Sequence, residues 1–234
     1  MTSRYAALMG FQQTPFTTED PWRIFRILAE FVDSFEALST LGPAVTVFGS
    51  ARSRPRDASY KATVTLAKLL AKNGLAVITG GGPGIMEAAN RGASLAKGKS
   101  VGLNIELPSE QRRNKYANIP IHFHYFFSRK VCLVKYSMGF VYMPGGFGTL
   151  DEFFEVLTLV QTRRIPQFPL ILFGSDHWRG LLQWLRGTVV KGRYIDAEDE
   201  QLFSVVDTPE AAVELILNYR RQVGVPTSVP PGFQ

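Results

Sequence analysis

The chain has 234 residues, of which 45% are hydrophobic and 20% charged, with a formal net charge of +6. These proportions describe an ordinary soluble globular protein, long enough for one large α/β domain with a substantial core. The single cysteine, Cys132, excludes an internal disulfide, and no run of about 18 apolar residues offers a membrane span.

Residues 1–17 read as a flexible arm, and Met1 to Gln13 holds no signal-peptide core, so the chain reads as cytoplasmic. Thr18-Glu19-Asp20-Pro21 then makes a helix start, with a capping residue and a proline in the first turn. Trp22, Phe25, Leu28, Phe31, Val32, Phe35 and Leu38 follow at helical spacing, and Gly42-Pro43 ends the segment, predicting an N-terminal helix over 20–41. Its apolar stripe is expected to pack on the domain or against a second subunit.

From residue 44 the pattern alternates. Strands are expected at 44–48, 75–79, 100–105, 121–125, 139–143, 169–173 and 203–206. Helices are expected at 57–73, 84–97, 128–137, 147–161, 177–190 and 209–221. Apolar strands alternating with helices predict an α/β fold, a single Rossmann-like, doubly wound parallel sheet of about seven strands covered on both faces. One domain over 18–222 follows, with a proline-containing tail at 223–234. Ligands of such sheets bind at the carboxyl ends of the strands.

Three turns fall at such ends. Gly49-Ser50-Ala51-Arg52 follows the first strand, and Gly80-Gly81-Gly82-Pro83-Gly84 follows the second. The third is Pro144-Gly145-Gly146-Phe147-Gly148-Thr149-Leu150-Asp151-Glu152, between an apolar strand and an amphipathic helix. Glycines let a backbone approach a ligand closely, and the helix start offers N–H groups and a positive dipole end to a phosphate. Glu152, about one turn into that helix, reaches what the phosphate carries, such as a sugar. The second turn lacks the third glycine of the dinucleotide fingerprint, and no Gly-Lys-Ser/Thr ending makes a P-loop.

Residues 91–135 carry nine lysines and arginines against Glu106 and Glu110. With no helix patterned to read bases, this surplus points to a small anionic substrate rather than to nucleic acid. His122 and His124 share a strand face without a third ligand nearby, so no metal is expected. His177 reads as structural. Cys132, within Val131-Cys132-Leu133-Val134, reads as a buried, inert thiol.

The segments Gly80 to Glu87, Ser128-Arg129-Lys130 and Pro144 to Glu152 together resemble the Lonely Guy family of phosphoribohydrolases. Its best-known members release cytokinin bases from riboside 5′-monophosphates, and older labels call such proteins possible lysine decarboxylases. The resemblance spans roughly residues 43–222. It implies that Arg129 and Glu152 form the catalytic pair, and that Gly145, Gly146, Gly148 and Thr149 hold the 5′-phosphate. Gly82, Gly84 and Glu87 then line the other wall, and Lys130 also contacts substrate. It implies a homo-oligomer, at least a dimer, and no cofactor. Many members carry Met-His-Glu where this chain has Phe126-Phe127-Ser128, a difference that falls on the base pocket.

Cleaving an N-glycosidic bond passes through a ribosyl cation, which a carboxylate near the ribose stabilises while orienting the attacking water. Glu152 is the candidate. Arg129 either pairs with it or holds the phosphate or base. Lysine decarboxylation needs a lysine Schiff base with pyridoxal phosphate, and neither Lys130 nor Lys135 is singled out for that. The alternative to hydrolysis is a nucleotide-binding sensor or carrier built on the same cradle.

Overall fold

The computed structural model describes residues 20–106 and 113–224. The arm expected over 1–17 lies outside them, as do residues 225–234 of the expected tail. The chain opens with α1 (Asp20–Leu38), β1 (Ala44–Phe48), α2 (Ala58–Lys72), β2 (Ala76–Thr79), α3 (Ile85–Leu95) and β3 (Ser100–Ile105). It continues through β4 (Ile119–Phe123), α4 (Phe126–Lys135), β5 (Phe140–Tyr142) and α5 (Phe147–Gln161). It closes with β6 (Leu170–Phe173), α6 (Ser175–Trp184), β7 (Ser204–Val206) and α7 (Pro209–Val223).

The seven strands form one parallel sheet in the order β4-β3-β2-β1-β5-β6-β7. The chain winds outward from β1 to one edge, returns through α4, and winds to the other edge from β5. Right-handed crossovers therefore place α2 and α3 on one face and α4, α5 and α6 on the other. The strand order reverses between β1 and β5, where Thr46 pairs with Phe140 and Phe48 with Tyr142. That boundary is the ligand position of a doubly wound sheet. Every residue of β1, β2, β3, β5 and β6 is buried, which is why these strands read as unbroken apolar runs.

Several elements differ from the expected bounds. β4 runs over 119–123 rather than 121–125, because Pro120 pairs opposite Gly102 on the sheet edge, a place that tolerates proline. α4 consequently starts at Phe126. The helix expected over 177–190 is α6 to Trp184, continued by a π-helical stretch over Leu185–Val190. α1 ends at Leu38, and Gly42, at φ 80°, makes the turn into β1.

The buried residues of α1 lie in its later part, while Arg23 near its start sits over the Tyr125 ring. Ser34 and Leu38 are buried, whereas Trp22, Phe25, Leu28 and Val32 are exposed. Glu30 anchors the helix: its carboxylate accepts from the His124 N–H at 2.5 Å and from the Ser128 hydroxyl at 2.5 Å. Among the described residues no helix is long and apolar enough to cross a membrane.

Candidate active site

A cavity of about 670 Å³ opens at the carboxyl ends of β1 and β5. One wall is Phe48 with the Gly49–Arg52 turn, and a second is Gly80 with Met86. Phe126 and Arg129 of α4 form a third, and the start of α5, Gly146 to Glu152, completes it. The two glycine turns thus meet across the point where the strand order reverses.

The α5 turn is shaped by contacts within it. A β-carbon at Gly145 would overlap the Thr149 side chain, so glycine is required there for tight closure. The Gly145 N–H donates to His177 Nε2 at 3.3 Å, and the Thr149 and Leu150 N–H groups donate to the Gly146 carbonyl. A β-carbon at Gly146 or Gly148 would meet nothing within 4 Å. Those two positions keep the helix N-terminus bare towards the cavity, as an anion site requires.

The second turn is held from behind. Asn90 is fully buried and accepts from the Thr79 hydroxyl at 2.6 Å and from Asn114 Nδ2 at 2.9 Å. Its own amide donates to Ser100 Oγ and the Val101 carbonyl, and Asn114 also donates to the Gly82 carbonyl. At Gly84, φ is 69° and a β-carbon would overlap the backbone of Ser50 and Ala51. The Ile85 N–H donates to the Ser50 carbonyl at 3.0 Å, so this turn docks backbone to backbone on the turn after β1.

Arg129 and Glu152 both face the cavity. Arg129 Nε donates to the Leu103 carbonyl at 2.8 Å, and its guanidinium lies against Gly80. Burial lowers its pKa, while the Glu152 charge acts in the opposite direction. Glu152 is buried, and its Oε2 has no hydrogen-bond partner among the described residues. Burial pushes its carboxyl up to about 7. Lys130 and Arg129 pull that value down, whereas Glu155 and Asp151 push it up. A carboxyl of this kind is poised to change protonation at neutral pH.

The remaining residues expected at the site stand apart from the cavity. Gly82 is buried behind it, and Gly84 packs on the turn after β1. Glu87 accepts from the Tyr60 hydroxyl at 2.9 Å on the α2 side. Lys130 Nζ lies 2.9 Å from Asp151 Oδ2 and 2.8 Å from Glu155 Oε2. Sequence reasoning does not assign Phe48, Ser50, Arg52, Met86 and Phe147 to the site. Of these only the Gly49–Arg52 turn carries a signal, its position after an apolar strand. Away from the cavity, His124 Nδ1 pairs with Glu106 at 2.9 Å, and His122 lies beside Arg113. Among the described residues no cluster of three His, Cys, Asp or Glu could hold a metal. Burial pushes the Cys132 thiol up to about 11.

A family model described as "possible lysine decarboxylase" matches residues 86–216. The chain is 37% identical over 78 residues to a bifunctional cytokinin biosynthesis protein of Fusarium pseudograminearum, covering 33% of this chain and 16% of the fungal one. It is 32% identical over 146 residues to a probable cytokinin riboside 5′-monophosphate phosphoribohydrolase of Oryza sativa, covering 58% of this chain and 57% of the rice protein. The chain therefore spans less than two thirds of either relative. Among solved structures it resembles the molybdenum cofactor binding protein of Rippkaea orientalis, with a TM-score of 0.56 and 25% identity. That match covers 75% of this chain and 94% of the other.

Proposed function

This chain belongs to the Lonely Guy family, and we propose that it hydrolyses the N-glycosidic bond of a nucleoside 5′-monophosphate, releasing the free base and ribose 5-phosphate. The observation that carries this reading is the Glu152 carboxylate, buried with an oxygen unpartnered among the described residues, in a cavity whose other end is a bare helix N-terminus. Phosphate at Gly146 and Gly148 brings the ribose to Glu152. Its ionised carboxylate then stabilises the ribosyl cation as the C1′–N bond breaks, and orients water towards C1′. The water oxygen joins C1′, and its proton compensates the departing base. Arg129, held by the Leu103 carbonyl, keeps a positive charge opposite the carboxylate.

Candidate substrates are AMP and N6-modified adenosine monophosphates. Incubation with AMP, N6-isopentenyl-AMP, GMP and CMP, with chromatography of released base and ribose 5-phosphate, tests the proposal. Release from at least one nucleotide, lost in Glu152→Gln with nucleotide affinity kept, is the expected result. No release from any of the four at high enzyme concentration overturns it.

The likeness to a molybdenum cofactor binding protein favours a second reading, a carrier that binds without turnover. Tight nucleotide binding with no base released supports it. Lysine decarboxylation has less support, because Lys130 is held protonated by Glu155 and Asp151 and so is no amine nucleophile. For the assembly, we place a subunit contact on the exposed face of α1, around Trp22, Phe25 and Leu28. Sedimentation of Phe25→Glu tests this, and a dimer that persists unchanged removes α1 from the contact.

A further inference from the structure

Lys130 neighbours Arg129 in sequence but serves a different side of α4. Successive helical residues point about 100° apart. Arg129 reaches back to Leu103 and Gly80, whereas Lys130 reaches across to α5. There it bridges Asp151 and Glu155, which stand one turn apart on the same side of that helix. Glu152 follows Asp151 directly and is the i,i+3 neighbour of Glu155.

We propose that Lys130 is a positioning residue for Glu152: by clamping Asp151 and Glu155 it fixes the first turns of α5 and keeps a positive charge beside the cavity carboxylate. The inference rests on the phosphoribohydrolase reading of the site. Lys130 is absent from the cavity wall, and its ammonium is engaged by two carboxylates, which leaves it poorly placed to hold a phosphate. Exposed ion pairs contribute little, but the Lys130 side chain is only 19% exposed and that of Glu155 35%, so solvent screens that pair less than a surface pair, whereas Asp151, at 64% exposed, is the more screened partner.

The charges facing Glu152 are Arg129 and Lys130 from α4, and Asp151 and Glu155 from its own helix. From β5 the Tyr142 hydroxyl donates to the Glu152 carbonyl at 3.4 Å. Without Lys130, three carboxylates in five residues face a single arginine whose own charge burial disfavours. Glu152 then ionises less readily. Without the Glu155 charge, the reverse holds.

Lys130→Met, Lys130→Arg and Glu155→Gln test this through kcat and KM for AMP and N6-isopentenyl-AMP between pH 5 and 9. The proposal expects Lys130→Met to lower kcat at pH 7 about tenfold, with KM changed less than about threefold. It expects the acid limb of kcat to move up by about one pH unit, Lys130→Arg to restore it, and Glu155→Gln to move it down. A KM raised about tenfold with the limb unmoved assigns Lys130 to the substrate and overturns the proposal. So does a limb that stays put in all three variants. If Lys130→Met does not fold, Glu155→Gln retains the lysine and tests the same coupling: a limb moved down supports the clamp, and an unmoved limb overturns it. The Glu152 carboxyl signal of 13C-glutamate-labelled protein, assigned with Glu152→Gln, titrates without any nucleotide. If the wild type releases no base, the hydrolase reading fails alone. An upward shift of that signal in Lys130→Met then still supports the clamp, and an unmoved signal overturns it.

Discussion

The Arg129 guanidinium occupies the space that a β-carbon at Gly80 would take. The glycine after β2 thus makes room for a side chain from α4. Gly80→Ala is expected to push Arg129 off the Leu103 carbonyl and lower kcat/KM by more than about tenfold, at a stability cost of about 1–3 kcal/mol. Steady-state kinetics with calorimetry checks this. Wild-type activity in Gly80→Ala would show that Arg129 need not sit there.

In the proposed reaction Glu152 would link activity to stability with opposite signs. Its carboxyl is raised to about 7 by burial, so the folded protein holds this proton to higher pH than the unfolded chain does. Below the unfolded value both states are protonated and nothing is lost. As pH rises towards 7 the unfolded chain ionises first, and stability falls by an amount that is constant above the folded value. Glu152→Gln removes that penalty. It is expected to be more stable than wild type at pH 8, by on the order of 1–3 kcal/mol, and to show no such gain near pH 4. Urea unfolding at the two pH values measures it, and equal stability at pH 8 would contradict the buried, unpartnered placement.

Two glycines of one turn are expected to respond in opposite ways. Gly148 lies in the first turn of α5 with open space around its missing side chain, so Gly148→Ala favours the helix by about 0.5–1 kcal/mol. The same methyl intrudes where the phosphate is proposed to lie, and AMP affinity should fall about tenfold or more. Gly145→Ala instead overlaps Thr149 and should lower the melting temperature. Calorimetry with AMP titration separates the two. A Gly148→Ala protein that binds AMP normally would move the phosphate elsewhere.

The sheet is legible in the sequence because β1, β2, β3, β5 and β6 are buried on both faces, and burial of that kind writes itself as uninterrupted apolar sequence. The edge strand β4 reads two residues late, since two of its five residues are exposed and its register is set by pairing with β3 around Pro120. The α5 turn is legible because its glycines, helix start and carboxylate are contiguous. The opposite wall is less so. The sequence puts Gly84 in a glycine-rich turn after a strand, but does not show that the space it leaves is filled by Ser50 and Ala51. Nor does an Arg-Lys pair disclose that one member turns to the sheet and the other to α5. Those distinctions arise from docking between segments far apart in the chain.

The placement of the cavity on the β1–β5 boundary has a consequence for how assembly can be followed. Its walls run from Phe48 to Glu152, and neither half of the sheet holds a complete pocket. A chain ordered only as far as β4 has the Gly80–Gly84 turn without Glu152, and one ordered only from β5 has Glu152 without Arg129. A nucleotide that binds only the closed sheet stabilises it by mass action. Its protection against unfolding therefore reports on that one seam, a direct gauge of whether the two halves have joined.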